Sequence, residues 1–302
     1  MIIDALVAEI GSTTTVVNAF DGLNTDNPRF LGSGFSPTTV LDGDVNIGLN
    51  KAIENLKEKL GVNDLQAKET FASSSAAGGL KMSVHGLVYD MTVKAAKEAA
   101  LGAGANIKMI TSGILDEYQV DEIKDQKLNI IMIAGGVDYG ERKTAIENAK
   151  SIASLKLNIP VIYAGNIQNH HIIKKIFSEY NQNDYLYISD NVYPKIDDLQ
   201  VDKTRKIIQD VFHEHIVKAP GMNKVKDIIH EDIIPTPGAV MEASILLQSD
   251  IGDLLTIDIG GATTDIHSVT KTSEKIEKIM IAPEPFAKRT VEGDLGVYIN
   301  KD

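Results

Sequence analysis

The sequence predicts an α/β fold assembled from two related halves. A strand–turn–strand pattern opens the chain over 2–20, and the same pattern returns from Leu254. Between them, short apolar runs alternate with segments of helical periodicity. Such alternation implies right-handed crossovers and a parallel sheet.

The elements follow in order. Ile3–Ile10 is largely apolar and Thr13–Phe20 is rich in β-branched residues, so two strands flank G-S-T. A third strand is predicted near Phe30–Val40, ending about Pro37. Leu49, Ile53, Leu56 and Leu60 recur at helical spacing, and Gly61 is placed to stop the helix. Thr70–Leu80 reads as a strand end and Gly-rich turn, Thr92–Ala103 as helix, Ile107–Ser112 as strand. Asn129–Ala134, Pro160–Ala164 and Tyr185–Ser189 read as strands; Glu141–Leu155, Asn169–Tyr180 and Val201–Ile216 as helices. Pro194 and Pro220 mark loops around the last of these. The sections expected are 1–127, a first unit; 128–216, a parallel α/β section; 217–253, a connector; and 254–302, the start of a second unit. Only about fifty residues follow Leu254, fewer than the roughly 100–150 of a typical domain. The expectation is a second half that is truncated in this chain.

Composition narrows the function classes. With 302 residues, 43% of them hydrophobic, the chain can bury a sizeable core. The formal net charge is −12, and the Lys-rich stretches Lys51–Lys59 and Lys271–Lys278 also carry Glu. Nothing there predicts nucleic-acid binding, which needs clustered cations. Cysteine is absent, which excludes disulfides and Cys-held zinc or iron–sulfur clusters. No basic n-region precedes an apolar run at the N-terminus, and no run reaches the ~20 residues that span a bilayer. The expectation is a cytoplasmic protein with no membrane partner. His170, His171, His213 and His215 lack metal-ligand spacing and read as solvated helix positions.

The main chemical signal is one motif present twice: E-I-G-S-T-T-T (Glu9–Thr15) and D-I-G-G-A-T-T-D (Asp258–Asp265). Each is a strand ending in a carboxylate, a small-residue turn and a β-branched return strand. Glycine lets the backbone approach an anion, and consecutive N–H groups in such turns form a concave anion nest. Gly11, Ser12, Thr13 and Thr14, with Gly260, Gly261, Ala262, Thr263 and Thr264, are the candidate phosphate-binding residues. A carboxylate would repel bare phosphate. Glu9 and Asp258 make sense as candidate catalytic and metal-positioning groups, holding a hydrated Mg²⁺ that bridges to phosphate.

The paired motifs resemble the two phosphate hairpins of actin, Hsp70 and the sugar kinases, which grip the ATP phosphates from both sides. That resemblance implies an actin-like ATPase (RNase H-like) fold, with ATP and Mg²⁺ as cofactors. Those relatives usually carry Asp in the first hairpin; Glu9 is longer by one C–C bond, ~1.5 Å. Four further stretches resemble a narrower family, the glutamate mutase-associated MutL proteins, distinct from the DNA mismatch-repair ATPase of the same name. They are S-S-S-A-A-G-G-L-K-M (Ser73–Met82), A-G-G-V-D-Y-G (Ala134–Gly140), P-T-P-G-A-V-M (Pro235–Met241) and K-R-T-V-E-G-D-L-G (Lys288–Gly296). The resemblance implies an ATP-dependent chaperone or reactivating factor whose partners are subunits of an adenosylcobalamin-dependent mutase. A small-molecule kinase is the alternative; no Asp stands out as its general base. Ser73–Gly79 serves either as a helix-capping turn or as a ligand contact. Gly135–Gly136 reads as a tight connection and Pro235–Pro237 as a rigid loop. Arg289, Glu292 and Asp294 form either a structural ion pair or a partner contact.

Overall fold

The computed structural model describes residues 1–76, 80–216, 218, 221–280, 283–292 and 295–298. Expectations placed on 77–79, on Pro220 and on Asp294 lie outside the described residues.

The strands are β1 (Ile2–Ile10), β2 (Thr14–Asp21), β3 (Arg29–Pro37), β4 (Gln66–Ser74), β5 (Lys81–Gly86), β6 (Asn106–Ser112), β7 (Ile130–Ile133), β8 (Val161–Tyr163), β9 (Leu186–Ile188), β10 (Ile233–Pro235), β11 (Leu254–Ile259), β12 (Thr264–Val269) and β13 (Ala287–Glu292). The α-helices are α1 (Val45–Leu60), α2 (Lys94–Gly102), α3 (Glu117–Asp125), α4 (Lys143–Ser154), α5 (His170–Glu179), α6 (Asp202–Ile216), α7 (Thr236–Ile251) and α8 (Glu274–Glu277).

They form three sheets. The first has the order β10-β4-β1-β2-β3, antiparallel from β1 through β3 and parallel across β1, β4 and β10. Helix α1 lies on it. Asp44 caps the α1 N-terminus by accepting the Asn46 N–H, and Gly61 ends it with φ 68°, the left-handed value glycine adopts without strain. The second sheet, β6-β5-β7-β8-β9, is parallel throughout, as the alternation predicts. Its central strands β5, β7 and β8 are buried on both faces, and β7 and β8 accordingly read as continuous apolar runs. Ile130 and Met132 of β7 enter one core with the first sheet and the alanine face of α2; Ile131 and Ile133 enter another with α4 and α5. The third sheet is the antiparallel β11-β12-β13.

Several expectations change. The 127/128 boundary does not separate the sheets, because β5 and β6 pair with the strands that follow it. Strand β5 escapes a hydropathy reading because its centre holds Ser83 and His85. Both are fully buried: Ser83 Oγ lies 2.8 Å from His85 Nε2, and His85 Nδ1 lies 2.8 Å from Thr111 Oγ1. The 217–253 connector contains an edge strand, β10, and the 16-residue helix α7. P-T-P is thus a strand-to-helix junction, with Pro237 in the first turn, where its missing N–H costs nothing. Two histidines are packed, not solvated. His213 Nδ1 accepts the Ile233 N–H at 2.9 Å, and the His170 ring meets Tyr163 edge-on at 5.8 Å.

Candidate functional site

Both copies of the repeated motif fold into the same hairpin. Strand β1 ends at Glu9–Ile10, and the turn into β2 is closed by the Gly11 N–H to the Thr14 carbonyl at 3.0 Å. Strand β11 ends at Asp258–Ile259, and its turn is closed by the Gly260 N–H to the Thr263 carbonyl at 2.9 Å. The ladders match: Ile10 pairs with Thr15, and Ile259 with Thr264. Glu9 and Asp258 therefore hold equivalent places, one residue before the last of the outgoing strand.

The two turns face each other across a cleft of about 1830 Å³ lined by Glu9, Gly11–Thr14, Asp258 and Gly260–Thr263. They touch at Gly261, where a Cβ would lie 2.6 Å from Thr13 Oγ1. Any larger residue at Gly261 would push Thr13 away, so glycine sets how closely the turns approach. Neighbouring segments complete the walls. Ser74 and Ser75 reach the cleft from the end of β4, where Ser12 Oγ donates to the Ser75 carbonyl at 3.2 Å. Thr236 and Pro237 bring the N-terminus of α7 to it. Thr264 departs from expectation. It is absent from the cleft lining, and its hydroxyl donates to the Leu295 carbonyl at 2.5 Å. That bond belongs to a strap: Val297 and Tyr298 donate their N–H groups to the Gly260 and Gly261 carbonyls, both at 3.1 Å. Gly296 is pressed so closely on the Ala262 backbone that no side chain fits there. The glycine that ends K-R-T-V-E-G-D-L-G thus seats the strap on the second hairpin.

Burial, then the negative charge of Asp258, raises the pKa of Glu9. Burial and Asp265 raise that of Asp258, while Arg289 pulls it down. Two half-buried carboxylates lining one cleft, near enough for the Asp258 charge to be felt at Glu9, favour a cation between them. Among the described residues no group of three or more His, Asp or Glu side chains makes a closed metal cage. The donor set suits Mg²⁺, which keeps most of its waters and uses one or two carboxylates.

A second layer was not assigned from the sequence. Asp265 is opposite Asp258 in the ladder, where the first hairpin has Val16 opposite Glu9. Asp265 pairs with Arg289 of β13: Oδ1 accepts Nε at 2.7 Å and lies 2.6 Å from NH2, both side chains nearly fully buried. Arg289 NH1 also donates to the Leu101 and Ala105 carbonyls, at 3.1 and 3.3 Å. For Arg289 the structural alternative therefore holds, and the arginine ties the second hairpin to the end of α2. The signal was present, since Asp265 closes D-I-G-G-A-T-T-D and Arg289 opens R-T-V-E-G, but their separation in sequence hid the pairing. Lys97 and Glu98 of α2 also line the cleft. Glu98 Oε2 is buried and makes no hydrogen bond among the described residues, and burial with the nearby Glu284 raises its pKa.

A family model described as "MutL protein" matches residues 5–302. The protein named Protein MutL from Clostridium tetanomorphum is 39% identical over 300 residues, a match covering 97% of this chain and 64% of that relative. The chain thus spans somewhat less than two thirds of the length of the curated relative it matches. No helix among the described residues is long and apolar enough to cross a membrane. A family match over nearly the whole chain and a relative sharing more than a third of its residues agree: the chain belongs to the MutL protein family.

Proposed function

We propose that the cleft binds Mg·ATP between the two hairpins, and that the protein is an ATP-dependent chaperone that reactivates an adenosylcobalamin-dependent mutase of the glutamate mutase kind. The observation that carries the nucleotide reading is the meeting of the hairpins at Gly261 and Thr13 across one cleft. Two phosphate loops on opposite surfaces could not grip one ligand. The mutase reading rests on the family resemblance and is supported by the MutL relative.

Each residue has a distinct task. Turn N–H groups and the Thr13 hydroxyl would donate to phosphate oxygens, and the Ser12 and Thr263 hydroxyls would join them by turning away from the Ser75 carbonyl and Asp265. Glu9 of the first hairpin and Asp258 of the second would hold the metal. When bound, Mg²⁺ neutralises phosphate charge and polarises the terminal phosphoryl group. The partial burial that raises both carboxylate pKa values would also strengthen their attraction for the cation. Because the hairpins belong to different sheets, a change in bound phosphate would move one against the other. Domain closure of that kind is how nucleotide state drives a partner.

Titration calorimetry of the protein with Mg·ATP tests the nucleotide reading. Binding is expected, with loss of at least tenfold in affinity when EDTA removes the metal. Binding indifferent to metal, or none, sinks it. ATP turnover measured with and without the purified mutase tests the chaperone role; no response to the mutase in turnover or in mutase reactivation refutes that part.

A further inference from the structure

The second sheet carries a feature unrelated to the cleft. Seven large hydrophobic side chains stand exposed between Lys81 and Ile216: Val88, Tyr89, Ile114, Tyr118, Tyr139, Ile167 and Ile196. All seven follow the carboxyl ends of the parallel strands, in a connecting loop or the first turn after it. Each of the five strands contributes at least one. Among the described residues, none of the exposed large hydrophobics of this section lies at the opposite edge or on an outer helix face. Scattered exposed apolar residues are ordinary; confinement to one rim is what marks an interaction surface. Tyr118 and Tyr139, 89% and 77% exposed, are of a type enriched at binding hot spots.

The rim is also rigid. The Gly113 N–H donates to the Gly86 carbonyl, joining the loops after β6 and β5. Buried Asn166 accepts the Tyr139 N–H at 3.2 Å and donates to the Gly140 carbonyl at 3.3 Å. Buried Asn191 donates to the Gly136 carbonyl and to Asp138 Oδ1, at 3.0 and 2.9 Å. Asp138 Oδ1 in turn accepts the Ile167 N–H at 2.9 Å. The A-G-G-V-D-Y-G loop is therefore clamped by asparagines from the two neighbouring loops. It displays Tyr139 from a left-handed backbone, φ 64°. Asp197 of the same rim is likewise held left-handed, φ 60°. Exposed Asp90, Asp116, Glu117, Glu141 and Asp197 stand among the apolar groups and outnumber exposed Arg142, Lys143 and Lys195 of the same loops, which leaves the rim acidic on balance.

We infer that this rim is the docking surface for a protein partner whose matching face carries apolar hollows flanked by lysine or arginine. The inference rests on the chaperone reading, in which that partner is a mutase subunit. The apolar groups supply affinity by burial; the carboxylates set orientation and speed association, so binding weakens as salt rises.

The test measures affinity of purified mutase subunits for the protein by biolayer interferometry, alongside Mg·ATP titration. The variant Tyr118→Ser/Tyr139→Asn/Ile196→Ser removes three apolar groups that do not line the cleft, and Asn tolerates the left-handed backbone at 139. The expected result is at least a tenfold loss of mutase affinity, with Mg·ATP affinity and far-UV circular dichroism unchanged. Asp90→Asn/Asp197→Asn should weaken binding severalfold at low salt and flatten its salt dependence. Mutase binding within twofold of the parent in the triple variant overturns the rim and leaves the chaperone reading standing. Tighter binding after neutralisation overturns the basic partner. Parent protein that binds mutase in no nucleotide state overturns both rim and chaperone role, while the calorimetry still decides the nucleotide site. An oligomer of the parent that the triple variant dissociates in sedimentation would assign the rim to a second copy and overturn the proposal.

Discussion

Replacing Arg289 with Met should unseat the second hairpin. The substitution keeps the length and apolar stem of the side chain but leaves Asp265 buried without its cation. Removing one partner of a buried ion pair costs about 3–5 kcal/mol; the Asp265 charge would keep the long hydrogen bond from the Thr263 hydroxyl, at 3.4 Å, but no cation. The Ala105 carbonyl also loses the guanidinium, adding about 1 kcal/mol; the Leu101 carbonyl still accepts the Gly104 N–H at 2.9 Å. The expected loss in urea unfolding is thus about 4–6 kcal/mol. Hydrogen exchange should speed most in β11–β13. Arg289→Met/Asp265→Asn should recover much of the loss, since a neutral pair of similar size no longer buries a charge. A double-mutant cycle then reads the coupling directly. A single-variant cost below about 1 kcal/mol, or coupling near zero, would show that the pair is not what docks the hairpin.

The same variant carries an electrostatic consequence. Arg289 lowers the pKa of Asp258, against burial and Asp265. Without it the Asp258 pKa climbs further. A carboxyl with a raised folded pKa binds more protons folded than unfolded, so its contribution is present at low pH and lost as pH rises through the folded value. Arg289→Met should therefore lose additional stability, relative to the parent, as pH rises above the ordinary carboxylate range through the raised Asp258 pKa.

Three other outcomes follow. In ATP turnover, Asp258→Ala should do more damage than Glu9→Ala, because Asp258 has the shorter side chain usual for such hairpins; unchanged turnover in Asp258→Ala would remove it from the metal site. His267 is fully buried, neither ring nitrogen has a hydrogen-bond partner among the described residues, and its pKa is pushed down to about 4, so His267→Leu should stabilise the protein by about 1–2 kcal/mol at neutral pH; a loss above 1 kcal/mol in urea unfolding would reveal a partner there. His85, buried with its pKa pushed down to about 3, contributes stability present above pH ~6.5 and lost as pH falls toward 3, so His85→Gln should reduce the pH slope in that window by up to about 1.4 kcal/mol per pH unit; an unchanged slope would mean His85 titrates normally.

Legibility in the sequence tracked how each element satisfies its backbone and where its apolar residues point. The hairpins were readable because a glycine-bearing turn between β-branched runs has few alternatives, and their repetition doubled the signal. Strands β7 and β8 were readable because burial on both faces leaves an uninterrupted apolar run. Helix α7 was not. Its opening P-G looks like a loop, and exposed Leu246, Leu247 and Ile251 on its outer side blur the helical period. Strand β13 was hidden for the opposite reason. Its buried positions include Arg289, so the inward face carries a charge where hydropathy expects an apolar residue. The carboxylates of the cleft could be named from the sequence, but the Asp265–Arg289 pair could not, since nothing local in either motif says that the two meet.

That pairing also explains why the two hairpins are not interchangeable. Their backbones match turn for turn, yet their supports differ. The first is one edge of a continuous turn network: the Thr38 hydroxyl donates to the Gly11 carbonyl at 2.8 Å and the Thr38 N–H to the Thr13 carbonyl at 3.0 Å. The same large core backs it from below, with Ile3, Ala8 and Ile10 fully buried. The second belongs to a three-stranded sheet whose buried apolar cluster is small, Met241, Val269 and Ala287. Apolar burial of that extent, at about 25 cal/mol per Å², fixes a sheet weakly. Its position against the rest of the molecule depends instead on discrete polar ties: Arg289 to the end of α2, and Arg205 NH2 of α6 to the Ala287 carbonyl at 2.7 Å. A unit held by a few directional bonds can shift as a body once one of them changes, whereas one held by a broad core cannot. If either hairpin moves when phosphate is bound or released, it is therefore the second, carrying Asp258 with it.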